Sequence, residues 1–144
     1  MVPNQPIGRT LPCCWHIRHQ GIRKMMRDLE LIRKLILAVE ASPTGYVKDD
    51  LAIKDYSPEQ IGYHAYLLVD AGLAKGVDIT TMGSSSPNWR ILHLTSAGHD
   101  FADVARDDST WKKATGLVKN KAGGVTLDVM KQVLISVIKN ALGL

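Results

Sequence analysis

SPEQIGYHAYLLVDAGLAKG, residues 57–76, is the stretch whose reading decides the fold. Ser57 is followed three positions later by Gln60. In that S-x-x-Q spacing the hydroxyl accepts from the N3 backbone N–H while the amide reaches back to the N-cap. Pro58 holds the first helical position, where a missing N–H costs nothing. Ile61, Ala65 and Leu68 form an inner stripe, with Leu67 and Ala71 beside them. Gly72 suits the position just past a helix end, where φ is often positive. The stretch predicts a capped amphipathic helix over 58–71 that runs directly into a strand. Between Ser57 and Ala74 there is no Lys or Arg.

Working outward, RDLELIRKLILAVEA (27–41) places Leu29, Ile32, Ile36 and Val39 on one helical stripe, widened by Leu31 and Leu35. Ser42-Pro43-Thr44-Gly45 ends it with turn chemistry. Tyr46 to Leu51 reads as a short edge strand, and Asp49 to Ile53 is the one part of 44–56 able to make a helical turn. After Gly72, two strand-like runs, 73–81 and 89–94, enclose MGSSSPN (82–88), so a hairpin with a long tip is expected. Thr95 is placed to cap a helix over 96–107, with Ala97, Phe101, Val104 and Ala105 inward. Ser109 is placed to cap a helix containing Trp111, Ala114 and Val118. Gly123-Gly124 breaks the chain, Thr126 caps a last helix, and Gly143 ends it.

Helix, short strand, helix, strand, loop, strand, helix is the order of a winged helix. IGYHAYLLVDAGLA (61–74) resembles the recognition helix and following turn of arsenic-repressor-type regulators. ILHLTSAGHDF (91–101) resembles the L-T-x-x-G step by which winged-helix repressors pass from the second wing strand to the next helix. Residues 26–144 as a whole are most similar to an uncharacterised "domain of unknown function" family of bacterial and phage hypothetical proteins. The matching stretches are RDLELIRKLIL, YSPEQIGYHAYLLVDAGL, LTSAGHDFADVARDDSTW and GGVTLDVMK. The resemblance implies an α+β winged-helix fold with a β-hairpin wing and two additional C-terminal helices, in a regulatory or defence-linked setting. The expected units are a winged-helix domain at 25–108 and a helical extension at 109–144.

Charge tests the nucleic-acid reading that such a fold raises. The formal net charge is +4, but it is unevenly placed. Residues 1–24 carry four basic side chains and no acid. Residues 25–108 carry eight basic against 13 acidic, and residues 109–144 six basic against Asp128 alone. Outward positions on the 58–71 helix would be Glu59, Gln60, Gly62, Tyr63 and Tyr66, with Lys48, Lys54, Lys75 and Arg90 as the nearby cations. Gln60 could pair with adenine, yet the capping box competes for it. DNA-binding proteins commonly neutralise roughly 6–10 phosphates, more than these four cations supply. Two functions therefore stand side by side. One is a DNA-associated transcriptional regulator reading through Gln60, Tyr63, Tyr66, Lys48, Lys54, Lys75 and Arg90. The other is a protein-interaction adaptor using the same surface without DNA.

The last helix is apolar over most of its circumference, with Asp128, Lys131, Gln132, Lys139 and Asn140 on a narrow side. A helix docked on one surface needs an apolar stripe of only about 100°. Burial from two directions is expected: the 27–41 helix on one side and a second copy on the other. Val129, Val133, Val137 and Leu142 are the expected contacts of a two-fold homodimer. Lys131 and Lys139 are fewer than stable anchoring at a membrane surface uses.

No catalytic, metal or cofactor site is expected. His64, His93 and His99 raise a metal reading, and His99 and Asp103 are one helical turn apart, but two ligands do not make a site, and His93 and His99 read as structural or surface residues. Ser84–Ser86 lack a G-x-S-x-G elbow, and no phosphate-binding glycine loop is present. Cys13 and Cys14 are adjacent and staple no loop, which with the lack of an apolar signal segment points to a reducing, cytoplasmic setting. Residues 1–24 hold three prolines, show no periodicity and read as a disordered or non-native extension. Translation is expected to start at Met25 or Met26, just after QGIRK, whose codons can resemble a ribosome-binding site.

Overall fold

The computed structural model describes residues 25–119 and 125–144. The expectations for the first 24 residues and for Gly123-Gly124 lie outside the described residues. The protein is a mixed α+β structure. Its described part contains five helices and one two-stranded antiparallel sheet.

Helix α1 (Leu29–Glu40) is capped by Asp28, whose carboxylate accepts from the N–H groups of Glu30 and Leu31. Its anticipated stripe is the centre of the core: Leu31, Ile32, Leu35, Ile36 and Val39 are buried. The chain then passes through a turn at Gly45 (φ +76°) into an irregular segment. The edge strand expected at 46–51 does not form. A single ladder bond, Val47 N–H to Leu92 C=O (2.8 Å), is made. The Lys48 carbonyl is instead taken by the Arg90 guanidinium (2.7 Å), so pairing stops after one rung. Residues 49–53, the one part of the segment able to make a helical turn, are irregular as well.

Helix α2 (Pro58–Asp70) opens with both halves of the Ser57–Gln60 capping box. It ends at Gly72, whose φ of +78° turns the chain directly into β1 (Ala74–Asp78). Strand β1 pairs with β2 (Trp89–Leu94), and the register shifts between Lys75 and Gly76, where Leu92 of β2 is the extra residue. A Cβ at Gly76 would lie 2.5 Å from the Arg90 carbonyl oxygen, so only glycine permits this close approach. The first strand stops at Asp78, short of the expected Thr81. The Asp78 carboxylate accepts from the Thr80 backbone N–H (2.9 Å) and forms a turn that competes with the ladder.

Thr95 joins the hairpin to α3 (Ser96–Ala105). Its hydroxyl donates to the Gly72 carbonyl (2.6 Å) and accepts from the Gly98 N–H (3.2 Å), while its own N–H bonds the Leu73 carbonyl (3.0 Å). The L-T-x-x-G and A-G-L stretches are thus two halves of one joint. Phe101, Ala102 and Ala105 point inward from α3, whereas Ala97, expected inside, is exposed.

Helix α4 (Asp108–Lys119) is capped by Asp107 and not by Ser109. The Asp107 carboxylate accepts from the Thr110 N–H (2.8 Å) and from the Ser109 (2.6 Å) and Thr110 (2.8 Å) hydroxyls. The bond from Ser109, with those from Thr110, holds the Asp107 carboxyl at about 2, well below its ordinary range. Helix α5 (Leu127–Ala141) is capped by Thr126 and ends before Gly143 at φ +74°. It packs on α4 and α3 rather than on α1. Trp111 and Ala114 of α4 and Leu127, Met130 and Leu134 of α5 belong to the same core cluster as α1. The two terminal helices therefore share one core with residues 25–108.

Arg33 ties this core to the turn between α3 and α4. Only 8% exposed, it donates to the carbonyls of Ala105 (2.7 Å) and Arg106 (3.1 Å) and to the Asp108 carboxylate (2.6 Å). Its guanidinium lies 5.3 Å from the Trp111 ring centroid, and the Trp111 N–H donates to Glu30 (2.6 Å).

Candidate functional site

The surface anticipated for recognition is the outer side of α2 with the hairpin beside it. The hairpin runs antiparallel to the helix, because Gly72 reverses the chain without a spacer. Its tip therefore returns to the α2 N-terminus. Ser85 and Ser86 donate to the Glu59 carboxylate at 2.9 and 3.1 Å. Asn88 lies directly over Gly62, where a Cβ would meet its Oδ1 at 1.9 Å. The loop thus contacts the start of α2 at Glu59 and buries Gly62, while Pro58 and Glu59 stay exposed.

Beyond this cover three aromatic rings follow one another. Tyr63 and Tyr66 are 6.0 Å apart between centroids, and Tyr66 and Trp89 are 6.2 Å apart. All three are half-buried. These tilted pairings suit rings whose edges are positive and faces negative.

The anticipated cations do not gather on this surface. Arg90 donates to the Lys48 carbonyl and its Nε lies 3.3 Å from the Asp50 carboxylate, so its charge is used within the protein. Lys48 and Lys54 are exposed in the irregular segment before α2, while Lys75 is exposed just past the other end of the helix. The Gln60 amide oxygen accepts from the Ser57 N–H at 2.9 Å, as the capping box requires.

Behind α2 lies a polar joint that the sequence reading left unassigned. His64 is 2% exposed. Its Nε2 accepts the Asp28 backbone N–H and its Nδ1–H donates to the Gln60 carbonyl, both at 2.8 Å. The bonds define one neutral tautomer and occupy both nitrogens. Tyr56 donates to the Asp28 carboxylate at 3.0 Å. Burial first, then Asp28, raises the Tyr56 hydroxyl to about 12. The signal for His64 was its spacing: three residues after Ile61 and four before Leu68, it falls on the inner face. These groups line a cavity of about 680 Å³ together with Leu29, Glu30, Val118, Lys119 and Met130.

His93 bonds the Leu94 carbonyl and stands edge-on to Tyr46, while Asp103 pairs with Arg106, which also holds Glu40. The His99–Asp103 spacing is therefore not used jointly. Among the described residues no three His, Cys, Asp or Glu side chains cluster as metal ligands. None of the described helices is long and apolar enough to cross a membrane.

The expected dimer contacts on α5 divide. Val133 and Val137 pack against the core, while Val129 is 46% and Leu142 68% exposed. Thirteen residues apart, Val129 and Leu142 point about 140° away from each other at 100° per residue, so the four do not form one seam.

Fold and surface together define a small mixed α+β protein with a helix–hairpin–helix body, a closed hairpin tip and a C-terminal helix pair. The family model described as "Hypothetical protein (DUF2513)" matches residues 26–124, and the chain belongs to that family. It is also 31% identical over 120 residues to an "Uncharacterized protein" of Haemophilus influenzae (strain ATCC 51907 / DSM 11121 / KW20 / Rd), covering 82% of this chain and 99% of that protein. No solved structure matches the chain.

Proposed function

We propose that this chain is a non-enzymatic winged-helix module that acts as a protein-interaction adaptor through the Tyr63–Tyr66–Trp89 face. The observation that carries the reading is the closed hairpin tip. Ser85 and Ser86 hold Glu59, and Asn88 covers Gly62, where a DNA-reading helix would present its first turns to base edges. Beside it runs the aromatic series Tyr63, Tyr66 and Trp89, a residue type enriched in protein interfaces, with the exposed carboxylate of Asp70 one helical turn beyond Tyr66. Both nitrogens of His64 are bonded, which supports a structural role for this histidine, buried beside a cavity.

A photo-crosslinking residue at Tyr63 tests the reading, with one at exposed Asp100 as the control. Expected is a discrete protein adduct in cells that forms from position 63, not from position 100, and is lost on Tyr66→Glu. Equal labelling from both positions would overturn it.

The DNA-associated regulator is the second reading, favoured by a capped helix leading straight into a hairpin. Binding to random and genomic duplex DNA across a salt series separates the two. Adaptor function predicts no retention even at low salt. A steep salt slope that weakens on Tyr66→Glu would establish the regulator instead.

A further inference from the structure

The C-terminal helices leave an open groove between them. It has a volume of about 580 Å³ and lies between the outer face of α4 and the last turns of α5. Leu117, Val137 and Ala141 supply its apolar floor, and Lys112 and Lys113 stand along it. Leu117 is 55% exposed, and Gly116 beside it adds no side chain. Among the described residues neither lysine has a carboxylate within ion-pair distance; Lys113 acts on Asp107 only at longer range.

We infer that this groove docks an acidic amphipathic helix of a protein partner, its apolar side over Leu117 and Val137 and its carboxylates against Lys112 and Lys113. Charge selects the occupant. Residues 109–144 carry six basic side chains and one acid. A second copy docked symmetrically here would bring lysines against lysines, and such like-charge contacts cost several kcal/mol. A nucleic acid would ask for roughly 6–10 phosphate contacts where two lysines stand. An anionic membrane typically draws on clusters of about 4–8 cations. A channel between two helices is the shape that receives a third, through anchors at i, i+3, i+4 and i+7. The inference is independent of the Tyr63–Tyr66–Trp89 face and stands or falls without it.

The test uses the whole chain and two synthetic helical peptides with the same leucine pattern, one flanked by Glu and one by Lys. Fluorescence anisotropy is expected to show binding of the Glu peptide alone. Lys112→Glu with Lys113→Glu should weaken that binding at least about tenfold and allow the Lys peptide to bind. Leu117→Asp should abolish binding of both, with unchanged far-ultraviolet circular dichroism because these side chains lie outside the core. Four results would overturn the inference: equal binding of both peptides, no binding of either, indifference to Lys112 and Lys113, or a dimer in sedimentation that Leu117→Asp dissociates. Binding to phosphatidylserine vesicles in preference to the Glu peptide would overturn it in favour of a lipid surface.

Discussion

A methyl group at position 98 would sit 2.0 Å from the Leu73 carbonyl oxygen, and that oxygen belongs to backbone already fixed by Gly72 and Thr95. Neither side can retreat, so Gly98→Ala is expected to lower stability by about 3 kcal/mol, at the upper end for overpacking. Thermal unfolding of the variant checks this; an unchanged midpoint would mean the joint is looser than described. Tyr56 gives a second expectation at the same scale. Its hydroxyl is raised to about 12 from an ordinary 10, so the bond to Asp28 is fully present below pH 10. Stability from this group should fall as pH rises from 10 through 12. Tyr56→Phe removes the bond at any pH, at a cost of about 1 kcal/mol, and should flatten that alkaline loss. Chemical denaturation of both proteins at neutral and alkaline pH measures the difference. Acid acts through Asp107 in the opposite sense. Its carboxyl, lowered to about 2 from 3.8, supports α4 above pH 4 and releases it as pH falls toward 2, which side-chain carbon shifts in NMR would follow.

Among elements, the hairpin and α2 behave as one unit because the tip bonds back to Glu59. Glu59→Gln keeps the shape and weakens two charge-assisted bonds from Ser85 and Ser86. Amide exchange of residues 82–88 should accelerate in that variant while α1 and α3 stay protected. Acceleration spread over the whole chain would mean that the contact supports the fold itself. The same elements show what the sequence could carry. Ser57 with Gln60, Gly72, Thr126 and the cap that Thr95 makes to Gly98 act within four residues of themselves and are legible, whereas the bonds of Thr95 to Gly72 and Leu73 are not. At the start of α4 the expected cap Ser109 yields to Asp107 two positions earlier, because the carboxylate accepts three bonds there. The strand at 46–51 was lost to Arg90, a competitor more than forty residues away. His64 and Arg33 were unreadable as partners for the same reason, since their bonds reach 36 and 72 residues along the chain. Of the candidate surface, the Tyr63 and Tyr66 pair was readable from helical spacing. That Arg90 is spoken for, and that the loop closes over Gly62, was not.

At the scale of the molecule, a chain cut after residue 108 would lose Trp111, Ala114, Leu127, Met130 and Leu134 from a core that has no second centre. Residues 25–108 alone are expected to show no cooperative unfolding transition, and a sharp calorimetric peak from that fragment would refute the single core. The uneven charge fits this arrangement, with acidic side chains predominating over the body and lysines over the terminal helices. The Arg33 clamp also has a meaning for the order in which the protein is made. Its guanidinium waits for carbonyls 72 residues downstream. At about 5–20 residues per second a ribosome needs roughly 4–14 s to deliver them. During that interval nascent α1 carries a hydrated cation beside its apolar stripe, and the clamp closes only once the turn after α3 has been made.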